Sequence, residues 1–194
     1  NEGRDLAERT PIRVVATPMA RTRESRTEDR ALVMKAASPI TEDGRMVGVL
    51  YAAVLLNNND AFIDRFRRLL FKEERKDGRE VGSSTIFLND FRVTTTIMDD
   101  KGRRAVGTLV SDEVFRNVYG EGQSWVGPAF VVDKWYISGY APLRDIDNRP
   151  IGMLYAGVLK DKYDAVLRTT TILYLLVIGL TTLIAIVLSV YLVG

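Results

Sequence analysis

Residues 172–193 run for 22 positions without a charged side chain, and no other stretch constrains the chain as strongly. At about 1.5 Å per residue a helix of that length covers roughly 33 Å, enough to cross the hydrocarbon core of a bilayer. A soluble helix buries one stripe and wets the other, so an apolar surface on every side reads as a transmembrane helix. Within it Thr181, Ala185 and Ser189 recur every fourth residue, small side chains that would let two helices approach along one pairing face. The chain opens at Asn1 rather than Met and stops just after the span, at Gly194, so it reads as a fragment.

All 27 basic and 25 acidic residues lie outside that span, giving a net charge of +2 and an ordinary soluble composition for the rest. The near-balance argues against nucleic acid as a partner. There is no cysteine and no histidine. Zinc sites built on those residues, disulfide scaffolds and Ser–His or Cys–His nucleophiles are thereby excluded.

Asp5–Arg9 reads as a helix end and Ile12–Thr17 as a short strand, followed by a polar stretch, Arg21–Arg30, expected to be a solvated loop. Ala31–Ile40 and Met46–Leu56 are β-branched apolar runs joined by Thr41–Gly44, a hairpin turn. Asn57–Asp60 offers helix caps, and Phe62, Ile63, Phe66, Leu69 and Leu70 then recur at helical spacing, with Arg65, Arg67 and Arg68 off that stripe on a solvated face. Strands follow at Ser84–Leu88 and Phe91–Ile97, then a short helix capped by Ser111 and ended by Gly120. Three more strands, Trp125–Val132, Trp135–Leu143 and Pro150–Leu159, precede Lys160–Arg168, which leads without Pro or Gly into the span as one helix.

The most specific feature is an internal repeat. Ser38–Leu56 matches Ala141–Leu159 with one extra residue in the turn: Pro39 aligns with Pro142, Arg45 with Arg149, Gly48 with Gly152, Tyr51 with Tyr155 and Leu55 with Leu159. Duplication of a supersecondary unit is the natural cause. Each copy is a hairpin followed by a helix, so the expected fold is α+β, with two tandem modules of antiparallel sheet and flanking helices, the first incomplete.

With that repeat in place, Val49–Asn57, Ser84–Leu88, Val106–Ser111, Trp125–Val132 and Trp135–Asp145 resemble a double Cache sensor domain, over roughly Ala31–Lys162. The resemblance implies PAS-like modules outside the membrane of bacterial histidine kinases and chemoreceptors. The expected divisions are 1–57, the remnant of a membrane-distal module; 58–77, a connecting helix; 78–160, the membrane-proximal module; 161–171, a juxtamembrane helix; and 172–193, the span.

No catalytic constellation or metal site is evident, and no cofactor is expected. Asp99–Asp100 and Asp145 with Asp147 are paired carboxylates, but in polar turns. The binding candidates lie on strands of the second module. Alternation puts Tyr136, Ser138, Tyr140 and Arg144 on one side, away from Trp135, Ile137, Gly139 and Leu143, and puts Arg92, Thr94 and Thr96 on one side of a neighbouring strand. Arginine with hydroxyl groups on a concave sheet suits a small organic ligand, a carboxylate or an amino acid. The resulting expectation is an extracytoplasmic input domain in the bacterial inner membrane, a homodimer. Its exit helix passes a ligand-dependent shift to an output domain outside this fragment, a histidine kinase or alternatively a methyl-accepting chemoreceptor. The fragment itself is expected to have no enzyme activity. A membrane-tethered enzyme and a ligand-free, partner-binding ectodomain are the rivals from other classes.

Overall fold

A computed structural model describes residues 11–72, 75–76, 79–80 and 82–193. The expected helix end at Asp5–Arg9 lies outside the described residues. The chain divides into two compact units, residues 1–158 and 159–194.

In the first unit, β1 (Ile12–Arg13) pairs with β2 (Thr27–Glu28), so the strand expected over Ile12–Thr17 is two residues long. The polar stretch Arg21–Arg30 is not a solvated loop. Arg21 and Arg23 both pair with Asp90, at 2.8 and 3.2 Å, and Arg23 and Arg30 both reach Glu28, at 3.1 and 2.6 Å. The Arg21 guanidinium also lies 3.9 Å over the Phe115 ring. Asp90 and Glu28 are buried, and a buried carboxylate requires such partners. The Arg30 guanidinium, hydrogen-bonded to Glu28, holds that carboxyl down at about 2.

β3 (Val33–Glu42) and β4 (Arg45–Leu55) form the expected hairpin, closed by Asp43 and Gly44 at φ 51° and 75°, a two-residue turn whose left-handed residues match the strand twist. Its base is pinned by buried Asn57, which accepts from the Leu32 N–H at 2.9 Å and donates to the Arg30 carbonyl at 3.1 Å. Then comes α1 (Asp60–Phe71), capped by Asn59, whose side-chain oxygen accepts from the Phe62 N–H at 3.0 Å. Ile63 on its apolar stripe is fully buried, but so is Arg67, which periodicity places on the wet face. A 12-residue helix lying on a sheet buries more than the width of its apolar stripe, and a long arginine follows.

After the short pair β5 (Arg75–Lys76) and β6 (Arg79–Glu80), the main sheet is built from β7 (Ser83–Leu88), β8 (Phe91–Thr95), β9 (Trp125–Val131), β10 (Lys134–Arg144) and β11 (Pro150–Leu159). The order is β8-β7-β11-β10-β9, with antiparallel pairing of β7 to β8, β7 to β11 and β9 to β10. Residues 107–110 run along the outer edge of β8, with the Arg92 N–H donating to the Thr108 carbonyl at 3.0 Å and the Gly107 N–H to the Arg92 carbonyl at 2.8 Å. That covering satisfies backbone groups an open edge would leave to water.

One face of the sheet packs on α1 through Ile63, Ile86, Leu88, Phe91 and Val93. Between β9 and the edge segment lie α2 (Asp112–Phe115) and a π-helical turn, Arg116–Gly120, which contacts β10. Ser111 precedes α2 with extended backbone as a cap residue would, but its side chain makes no capping hydrogen bond.

The second unit is one helix, α3 (Asp161–Val193), as the unbroken sequence from Lys160 into the span predicts. Thr169–Ile186 is long and apolar enough to cross a membrane, with a mean hydropathy of 2.1. Thr181 returns its hydroxyl to its own helix, to the carbonyls of Val177 and Ile178 at 3.0 and 2.9 Å, so it does not need a partner helix for that group.

Candidate functional site

β10 alternates as its sequence predicts: Tyr136, Ser138 and Tyr140 point into the protein, while Trp135 on the other side is exposed. Arg144 does not join them. Beyond Pro142 the strand reaches the surface, and the guanidinium donates to the carbonyls of Gly122 and Asn148 at 2.9 and 3.0 Å.

On β8 the alternation fails, for a definite reason. The β7–β8 register shifts between Ile86 and Phe87, so Phe87 stands opposite Arg92 but Ile86 stands opposite Thr94. Neighbours across antiparallel strands share a face, and Ile86 and Phe87 point to opposite faces. The bulge therefore separates Arg92 from Thr94. Arg92 stays with Phe87, its guanidinium 4.8 Å over that ring. Thr94 turns to the helix side and donates to the Asn59 carbonyl at 3.2 Å. Thr96, expected beside both, is occupied with the backbone of Ser84, accepting from its N–H at 2.9 Å.

The structure thus gathers Arg92, Tyr136, Ser138 and Tyr140, and adds residues that strand alternation alone did not single out. Tyr155 on β11 lies opposite Thr85 and packs on Tyr140, ring centroids 4.9 Å apart. Its membership was signalled only by its place in the internal repeat. Thr108 joins from the edge segment, 2.6 Å from Nη1 of Arg92. Its approach is long-range and has no sequence signature.

The electrostatics of this cluster are unusual. Arg92 is 1% exposed. Its Nη1 reaches the Thr108 hydroxyl and, at 3.4 Å, the Leu109 carbonyl, yet its Nε has no hydrogen-bond partner. Among the described residues no carboxylate pairs with it. Burial accordingly pulls its pKa below the usual arginine range, and the surrounding tyrosines offset this only in part. Burial likewise pushes the Tyr136 phenol up to about 12, and raises those of Tyr140 and Tyr155. All three phenols are therefore neutral and able to donate. The Ser83 hydroxyl lies 3.1 Å from the Tyr155 oxygen. The hydroxyl of Ser138 is near enough to Tyr155 to soften its rise, but makes no hydrogen bond of ordinary length and angle. The Ser84 hydroxyl is also buried and unpartnered. Burying a cation without a counter-charge costs several kcal/mol, so this arrangement is expensive as it stands.

The paired carboxylates serve as turn organisers. Asp99 accepts from the N–H groups of Lys101 and Arg103 at 2.9 and 2.8 Å, and Asp145 from those of Asp147 and Arg149 at 3.0 and 2.8 Å. A cleft of 590 Å³ near Asp99 is lined by Arg103 and Arg104, which are already paired, Arg103 with Asp99 and Arg104 with Asp60 and Asp64. Thr108 lines the same cleft and is the hydroxyl that holds Arg92.

A five-stranded antiparallel sheet, backed by one helix and holding a buried polar cluster on its other face, is the frame of a sensor module. A family model, Single cache domain 3, matches residues 54–170. The chain belongs to the Cache family, whose members are extracellular sensor domains of signalling receptors. No curated protein matches the chain, and no solved structure does.

Proposed function

We propose that this chain senses a small carboxylate through Arg92, as the extracellular input of a membrane-bound receptor. The observation that supports this reading is the buried, counter-charge-free guanidinium of Arg92, with a bare Nε and two idle hydroxyls, Ser84 and Ser138, also sealed in the protein. A carboxylate supplies what the cluster lacks: negative charge, and planar acceptor geometry for the guanidinium fork. Neutral Tyr136 and Ser138 would donate to its second oxygen.

Since Arg92 is sealed from solvent, ligand entry requires movement of the segment that holds it, Thr108 and its neighbours. A signal follows only if the ligand binds the two arrangements unequally, and loss of a desolvated charge penalty in one of them is such a difference. β11 carries Tyr155 and gives way to α3 after the single residue Lys160. This is the shortest covalent route from the cluster to the apolar helix. The reading extends to a homodimer in the bacterial inner membrane, a histidine kinase as output, with a chemoreceptor as the alternative, and a tandem arrangement in which β3–β4 belongs to a second module. The supports for the tandem arrangement are the sequence repeat and the matching hairpins.

The test is a thermal-shift screen of the chain in detergent against small mono- and dicarboxylates and amino acids. A ligand at 100 times its Kd raises stability by about 2.7 kcal/mol. At this size that corresponds to roughly 5–10 °C. The shift should vanish in Arg92→Met and weaken in Ser138→Ala. A ligand whose effect survives Arg92→Met would refute the assignment.

A further inference from the structure

The two copies of the repeat share a fold but not a setting. In the second copy β11 is flanked by β10 on one side and by β7 on the other, with Gly152 opposite Leu88, Tyr155 opposite Thr85 and Gly157 opposite Ser83. In the first copy β4 is flanked by β3 alone, and Met46, Val47, Val49, Leu50, Tyr51 and Val54 are exposed. Tyr51 is 60% exposed where its counterpart Tyr155 is 0%. A two-stranded hairpin with apolar side chains on both faces and a bare edge is marginal in water. It is also a template for strand addition.

A glycine shows that the edge is written for a neighbour. Any Cβ at Gly152 would collide with the carbonyl oxygen of Phe87 on β7, so glycine is demanded there by the adjoining strand. Its counterpart Gly48 carries the same residue with only Ile40 Cδ1 near, at 3.9 Å. Nothing within the hairpin requires glycine at position 48, and glycine weakens a strand interior. The requirement makes sense if a strand also lies against β4.

We propose that the outer edge of β4 accepts an antiparallel strand of β7-like character, supplied by the same polypeptide N-terminal to the described residues. The transposed register sets Gly48, Tyr51 and Ala53 opposite the equivalents of Leu88, Thr85 and Ser83. Val49, Tyr51 and Ala53 then take the inward face that Met153, Tyr155 and Gly157 take on β11. The occupant is placed in cis because in the second copy β7 precedes the hairpin in sequence, and because residues 11–32 hold only β1 and β2, which pair with each other. This pairing deepens the tandem-module reading and is independent of the Arg92 cluster.

The experiment uses the polypeptide expressed from its native gene in membranes. A photo-crosslinking phenylalanine analogue replaces Tyr51, and hydrogen exchange is followed along residues 46–54. The expected result is a crosslink within one polypeptide to a segment upstream of residue 1, with alternate β4 amides protected. Gly48→Ala should lower the thermal midpoint of that protein and leave the 194-residue chain unchanged. Upstream crosslinks with unprotected β4 amides would overturn the strand pairing while sparing the tandem reading. Crosslinks to β4 of a second copy would overturn both.

Discussion

Replacing Arg92 with methionine should stabilise the protein in the absence of ligand. Methionine keeps most of the volume and flexibility of the arginine stem and still packs on Phe87. What is lost is one charged hydrogen bond, Nη1 to Thr108 at 2.6 Å, worth about 1.5–3 kcal/mol. The longer reach to the Leu109 carbonyl, at 3.4 Å, adds little. Thr108 is not orphaned, because its hydroxyl also donates to the Ala105 carbonyl at 2.7 Å. What is gained is release from the desolvation of a cation that no carboxylate balances, and exchanges of buried charges for apolar residues stabilise by about 1–4 kcal/mol when the packing holds. The balance favours the variant by about 1 kcal/mol, or roughly 2–4 °C in Tm. The assay is thermal denaturation of both proteins after refolding from denaturant and dialysis, which strips any carried-over ligand. A variant destabilised by 2 kcal/mol or more would refute the reasoning, since it would show Arg92 to be a satisfied structural residue.

Three further outcomes follow from the same geometry. Glu28 has its carboxyl held at about 2 instead of 4.5 by Arg30, so the stability it contributes is complete above pH 4.5 and is lost as pH falls toward 2; Glu28→Gln should flatten the plot of Tm against pH across that window. Asp90→Ala removes the shared partner of Arg21 and Arg23 and should cost about 1–3 kcal/mol. The same change should open the Arg21–Arg30 segment to trypsin, read by limited proteolysis. Gly152→Ala should destabilise the main sheet by about 1–3 kcal/mol, because the new methyl group meets the Phe87 carbonyl; a variant as stable as the parent in thermal denaturation would contradict the β7–β11 register.

Local grammar made much of this fold legible. The Asp43–Gly44 turn, the Asn59 cap with its apolar stripe and the alternation of β10 all rest on contacts within a few residues, and each appears as its sequence predicts. The misreadings arise where distant segments decide. Phe91–Ile97 alternates cleanly on paper, but the bulge opposite Ile86 and Phe87 moves Thr94 to the helix side, and nothing in that heptapeptide marks it. Arg21–Arg30 is polar enough for a solvated loop, yet it meets Asp90 across some seventy residues of chain. Asp90 itself looks like a turn residue and is 1% exposed because those arginines close over it. Arg92 and Tyr136 were legible as candidates because charge and hydroxyl groups stood on strands. That Arg92 lacks any counter-charge is a three-dimensional fact.

The central claim is that the Nε–H of Arg92 awaits an anion. Side-chain ¹⁵Nε–¹H resonances of arginine report it directly, with the Arg92 signal assigned by its loss in Arg92→Met. On titration with the carboxylate that gives the largest thermal shift, the account predicts that this resonance moves downfield and saturates with the same Kd. A resonance that stays in place while the ligand saturates the protein would contradict it.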